Sequence, residues 1–125
     1  MNLTIFPKEL AVCRLAAQDD VPDWSWNQEF SSITRTAREL SIVCRACDVP
    51  RDVKSERGWR ALRVAGPLDF SLIGVLAGLA GPLAEAGISI FSISTFDTDY
   101  LLVRGHALEQ ATMVLRGAGH TVGSR

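Results

Sequence analysis

Apolar positions in the second half of the chain alternate between a spacing of two and a spacing of three to four, and that switching predicts its elements. Trp59 to Ala65 reads as extended, with Leu62 to Gly66 the clearest strand in it. Pro67 to Phe70 follows as a loop, and Ser71 as a helix N-cap. Ile73, Leu76, Ala77, Ala80, Leu83 and Ala84 then recur at helical steps, which marks them as a buried face. Pro82 removes one backbone donor from that helix, and Gly87 offers a left-handed exit. Alternation returns in Ser89 to Phe96 and Tyr100 to Arg104, a hairpin. Leu108 to Arg116 is a second helix and His120 to Val122 a closing strand. Strand, helix, strand, strand, helix, strand is the split βαβ order: an α+β, ferredoxin-like βαββαβ fold, with both helices on one face of an antiparallel sheet.

The first half repeats this pattern less clearly. Leu10 to Ala16 reads as a strand ended by the turn residues Asp19, Asp20, Pro22 and Asp23. Trp24 and Trp26 suit either a strand or a short helical turn. Phe30 to Thr36 and Leu40 to Cys44, around a turn at Ala37 and Arg38, read as a hairpin, and Asp48 to Glu56 as at most a short helix. Ser32, Ile33, Thr34, Glu39 and Val43 align with Ser92, Ile93, Ser94, Asp99 and Val103 at a constant shift of 60, which suggests an internal duplication. Two units are therefore expected, a degenerate one over residues 1–60 and a complete one over residues 61–125.

Composition narrows the partners. A net charge of −1 with interspersed signs provides no basic stripe for nucleic acid and no attraction to a membrane surface. Leu72 to Phe91 approaches the length of a membrane span, but Glu85 and four glycines interrupt it, so a helix followed by a buried strand fits better. The amino-terminal segment lacks the features of a secretory signal, and the cytoplasm is the expected compartment. Three cysteines, Cys13, Cys44 and Cys47, are expected as reduced thiols.

The run Ala65-Gly66-Pro67-Leu68-Asp69-Phe70-Ser71-Leu72-Ile73-Gly74-Val75-Leu76, followed by Leu83-Ala84-Glu85-Ala86-Gly87-Ile88-Ser89-Ile90, resembles the strand–loop–helix–strand signature of ACT domains. Ile93-Ser94-Thr95-Phe96-Asp97-Thr98-Asp99-Tyr100-Leu101-Leu102-Val103 is similar to a segment of small bacterial tandem ACT-like proteins and of eukaryotic cytosolic arginine sensors. ACT modules also regulate aspartate kinases. The resemblance implies a regulatory, non-catalytic protein that binds a free amino acid and forms a homodimer. The first half lacks the glycine loop and a full first helix, which departs from the pattern.

A free amino acid presents a carboxylate beside an ammonium group, so its site needs anion donors next to cation acceptors. Gly66 permits close backbone approach, and the loop through Asp69, Phe70, Ser71, Leu72 and Gly74 leads into a helix start whose first amides suit a carboxylate. Asp97 and Asp99, at the end of the strand that carries Ile93, Ser94, Thr95 and Phe96, could take an ammonium or a basic side chain. The arginine-sensor resemblance favours Asp99. Asp97, Thr98 and Asp99 equally suit a tight turn, and Asp69 and Ser71 a simple helix cap. Paired carboxylates favour a basic amino acid over an acidic one. Cys44-Arg45-Ala46-Cys47 is a CxxC without a second ligand pair, so neither zinc nor any other cofactor is expected. His106 and His120 read as surface or cap residues. No nucleophile–base–orienter set can be assembled, which disfavours an enzyme. The alternative to sensing is a ligand-free dimerisation or protein-interaction module.

Overall fold

The computed structural model describes residues 1–68 and 73–124. Its elements, in chain order, are β1 (Asn2–Ile5), β2 (Leu10–Leu15), β3 (Ser31–Arg35), β4 (Leu40–Arg45), β5 (Ser55–Val64), α1 (Val75–Glu85), β6 (Ile90–Ser94), β7 (Asp99–Arg104), α2 (Leu108–Gly117) and β8 (Thr121–Ser124). Single 3-10 turns lie at Asp23–Ser25, Ala46–Asp48 and Gly105–Ala107. The chain divides into two compact units. One is Lys8–Trp59; the other joins Met1–Pro7 to Arg60–Arg125.

In the larger unit the strands run in the order β6-β7-β5-β1-β8. The ferredoxin-like order is present with one addition: β1 sits between β5 and β8. It pairs antiparallel with β5, Leu3 opposite Val64, and parallel with β8, Leu3 opposite Val122. Four residues at the amino end could not form a strand alone; two neighbours distant in sequence satisfy its backbone, and Leu3 is buried between them.

The core of this unit gathers Leu3, Leu62, Val64, Leu79, Leu83, Ile88, Leu101, Val103, Ala111, Leu115 and Val122. Helix α2 contributes Ala111 and Leu115, spaced four apart, and Thr112 turns its hydroxyl inward to the Leu108 carbonyl at 2.9 Å. Helix α1 differs from its expected face. Leu79 and Leu83 are buried, with Val75, Leu76 and Ala86 half-buried against the core, whereas Ile73 is 95% exposed and Ala77 and Ala84 face solvent. The small residues share the helical spacing but bury little area, so the larger Leu79 and Leu83 set the rotation. The helix ends as expected: Gly87 adopts φ 75°, and Ile88 N–H reaches the Leu83 carbonyl at 2.9 Å, a six-residue closure.

The smaller unit has the order β3-β4-β2 followed by the first part of β5. Its core holds Ala11, Cys13, Leu40, Ile42, Cys44, Ala46 and Val49. Trp24 lies in the 3-10 turn at Asp23–Ser25, where the larger unit has a full helix. Arg57 closes the other side, its guanidinium donating to the carbonyls of Ala46 and Val49 at 2.8 and 2.9 Å. Arg45 pairs with Glu29 at 2.8 Å and Asp48 at 3.0 Å.

The two hairpins correspond, but at a shift of 59 rather than 60. All four strand ends move by that number, Ser31 to Ile90, Arg35 to Ser94, Leu40 to Asp99 and Arg45 to Arg104, and a 3-10 turn follows each hairpin. Their four-residue turns are held alike: Thr36 N–H donates to the Glu39 carbonyl at 2.9 Å, and Thr95 N–H to that of Thr98 at 2.8 Å. Letter matching in strands of similar composition slipped by one position, and a one-residue slip exchanges the two faces of every strand. In the correct register Leu40, not Glu39, is the counterpart of Asp99.

Candidate functional site

The expected site residues all belong to the larger unit, where the fold brings two loops together at one end of its sheet. The chain leaves β5 through Ala65 to Leu68, and Leu68 N–H donates to the Asp97 carbonyl at 2.6 Å. Thr98, in the β6–β7 turn, reaches the end of β5: its side chain is buried and its hydroxyl donates to the Val64 carbonyl at 2.6 Å. Gly66 lies in this contact. A Cβ there would stand 3.0 Å from the Asp97 carbonyl oxygen and 3.1 Å from the Thr98 Cβ, so the absent side chain is what lets the two backbones meet.

Asp99 opens β7, and Asp97 lies in the turn, so neither ends the preceding strand as expected; β6 stops at Ser94. Ser94 and Asp99 face each other across the hairpin, and the Ser94 hydroxyl donates to Asp99 Oδ1 at 2.6 Å. That bond fixes the half-buried carboxylate with lone pairs to spare. Asp97 uses its backbone carbonyl, while its residue lies at the surface. Thr95 Oγ1 donates to the Thr98 carbonyl at 3.0 Å and accepts from the Thr98 N–H at 3.3 Å, closing the turn. Ile93 is half-buried in β6, and Phe96 is 79% exposed at the tip of the turn.

Helix α1 begins at Val75 behind Gly74, whose φ is 78° and which offers no side chain to cap the first amides. The expected start near Leu72 and the Ser71 cap lie outside the described residues, as do Asp69 and Phe70. Thr98 was missing from the expected set. The repeat carries no signal for it, since its counterpart at the shift of 59 is Glu39 and its role is a tertiary bond to β5.

The CxxC does not act as a unit. Cys44 is buried in β4, whereas Cys47 is exposed in the following 3-10 turn with its Sγ 3.8 Å from Asp48 Oδ1. The partner Cys44 finds is Cys13 on β2. The hydrogen bond between the two thiols, reinforced by burial, pushes the Cys44 thiol up. One thiol per chain, Cys47, should therefore react with a disulfide reagent in the native state and three in denaturant; rapid native labelling of two or three would contradict this burial.

His106 is exposed before α2, and His120 faces α1, its Nε2 3.3 Å from the Gly78 carbonyl. Among the described residues no three His, Cys, Asp or Glu side chains are grouped to hold a metal ion, and no helix is long and apolar enough to cross a membrane.

A family model described as ACT domain matches residues 54–117, and a second, for an N-terminal domain, matches residues 8–52. The subunit 1 of the cytosolic arginine sensor for mTORC1 from Bos taurus is 42% identical over 67 residues, 53% of this chain and 20% of that protein. The Homo sapiens protein is 44% identical over 59 residues, 46% of this chain and 18% of its own length. The chain thus spans about a fifth of these relatives. Among solved structures, an Agrobacterium tumefaciens protein is 40% identical with a TM-score of 0.93, covering 99% of this chain and 92% of its own. The regulatory subunit of aspartate kinase from Thermus thermophilus shares the fold at 11% identity, with a TM-score of 0.60 and coverage of 93% and 95%.

Proposed function

The chain belongs to the ACT domain family, and from that premise we propose that it is a regulatory module that binds a free amino acid and performs no catalysis. The observation that carries this reading is the meeting of the Gly66 loop with the β6–β7 turn, beside the Asp99 carboxylate that Ser94 orients. In this reading Asp99 accepts hydrogen bonds from a cationic group of the ligand. The ligand carboxylate turns toward the backbone donors of the segment from Gly66 through Asp69, Phe70, Ser71 and Leu72 to Gly74 and the first turn of α1. In this reading Ile93, Thr95 and Phe96 flank the ligand, and Asp97 adds negative charge beside it.

A basic amino acid fits this charge arrangement. The similarity to proteins named as arginine sensors supports the same class, and their designation as cytosolic supports a cytoplasmic location. The site belongs to the ACT domain over residues 61–125. Within the first sixty residues, the unit Lys8–Trp59 is read as a degenerate copy, supported by the hairpin that repeats at a shift of 59. A homodimer is the assembly proposed.

Thermal unfolding of the full chain against each proteinogenic amino acid tests the reading. A ligand at a hundred times its dissociation constant adds about 2.7 kcal/mol, an easily read rise in Tm for a domain of this size. Lysine or arginine should raise the Tm and aspartate should not. No rise with any amino acid at about 10 mM would remove the proposal in favour of a ligand-free interaction module.

A supporting residue is testable too. Thr98→Val keeps the shape but removes the bond to the Val64 carbonyl, and should cost about 1 kcal/mol in denaturant unfolding. An unchanged midpoint would show that the bond does not hold the turn.

A further inference from the structure

The smaller unit repeats the hairpin turn that meets the Gly66 loop, and here its own arginine side chains make the bonds to the neighbouring backbone. In the larger unit the loop after β5 is tied to the hairpin turn by Leu68 N–H on the Asp97 carbonyl. At the shift of 59 the same carbonyl is that of Arg38, and here it accepts from Arg14 Nη2 at 3.1 Å. Arg35 occupies the place of Ser94. Its guanidinium reaches the loop after β2, donating from Nη1 to the Ala17 carbonyl and from Nη2 to the Asp19 carbonyl at 2.8 Å. The loop closes on itself beneath it, with Asp19 N–H on the Ala16 carbonyl at 3.0 Å and Ala16 N–H on Asp19 Oδ2 at 3.1 Å. The place of Asp99 is taken by Leu40, which is fully buried in the core of the unit.

We propose that Arg35 takes in this unit the place that a ligand's cation takes in the other, a tethered guanidinium that pins the loop over residues 16–20 to the hairpin, so that the chain takes up one amino acid rather than two. Two independent features carry it. A forked guanidinium already bonds the Ala17 and Asp19 carbonyls of the loop, and the carboxylate that would receive a ligand's cation is replaced by a packed leucine. The count of one ligand rests on the sensing role proposed above; the pinning by Arg35 does not.

The test uses the full chain. Arg35→Ala should raise amide exchange over residues 16–20 about tenfold, leaving β6 and β7 unchanged. Methylguanidinium in the millimolar range should restore protection in the variant without altering the wild type. Arg35→Lys, which keeps the charge but loses the fork, should remain mostly unprotected. Unchanged exchange in Arg35→Ala, or increased exchange that methylguanidinium does not reverse, would overturn the pinning. Calorimetric titration with L-arginine should give one site per chain in the wild type, weakened at least about tenfold in Asp99→Ala. Two sites in the wild type, or one retained at full affinity in Asp99→Ala, would overturn the single-site inference. Wild-type protein that takes up no amino acid would refute the sensing role, while exchange and rescue would still decide what Arg35 does.

Discussion

Asp99→Ala should sharply reduce stabilisation by amino acids while leaving the ligand-free protein folded with almost unchanged stability. The two halves of this result have separate physical origins. In the ligand-free protein the carboxylate accepts one bond, from a Ser94 hydroxyl on an exposed residue, and water can replace it after truncation. Substitutions of that kind usually move stability by less than about 0.5 kcal/mol. In the proposed complex the same carboxylate would face the ligand's cation, where a charge-assisted bond contributes about 1.5–3 kcal/mol, or roughly 10- to 100-fold in affinity. Asp99→Asn keeps an acceptor without the charge and should fall between. Ser94→Ala should weaken binding less, since it removes the orienting donor but not the charge. Calorimetry on the three variants checks the order. Full affinity in Asp99→Ala would place the cation elsewhere and remove this carboxylate from the site.

Much of the larger unit could be read from its residues because its signals are local. Helical spacing followed by Gly87 determines α1 and its end, and the alternation around Ile93 and Leu101 determines a hairpin. What was misread depended on information that spacing does not contain. Ile73 fits the helical spacing yet is 95% exposed, because it precedes Gly74, whose left-handed backbone lets α1 begin only at Val75. Strand β1 exists only through its pairing with Val64 and Val122, more than fifty residues away in the chain. The repeat was visible, but its register was not. Ser32 and Ile33 match Ser92 and Ile93 by letter, whereas the turn bonds of Thr36 and Thr95 set the true shift. That single position decides whether the first unit has an acidic residue at the place of Asp99 or a buried leucine. Of the candidate residues, Gly66 and Asp99 are nameable from the sequence, whereas Thr98 is not, because its role is a tertiary bond to β5.

Gly66→Val should damage folding and binding together, unlike Asp99→Ala. Gly66 is not among the glycines that adopt positive φ, so its backbone conformation does not by itself demand glycine. Its constraint is room. The first added carbon would stand 3.0 Å from the Asp97 carbonyl oxygen, closer than all but a few real contacts, and it would also press on Thr98. Neither neighbour can yield easily. The Asp97 carbonyl holds Leu68 N–H, and Thr98 is anchored to Val64, so relief requires the loop to part from the turn and both bonds to stretch. Overpacking of this kind costs about 1–3 kcal/mol, which for a domain of this size lowers the Tm by several degrees. Gly66→Ala should show a smaller loss of the same kind. Because the loop and Asp99 would no longer be held in one place, affinity should fall even where the variant remains folded. Chemical denaturation and amino-acid titration measured on the same preparation would separate the two effects; a valine variant with wild-type stability and wild-type affinity would mean that the loop and the turn do not need to touch.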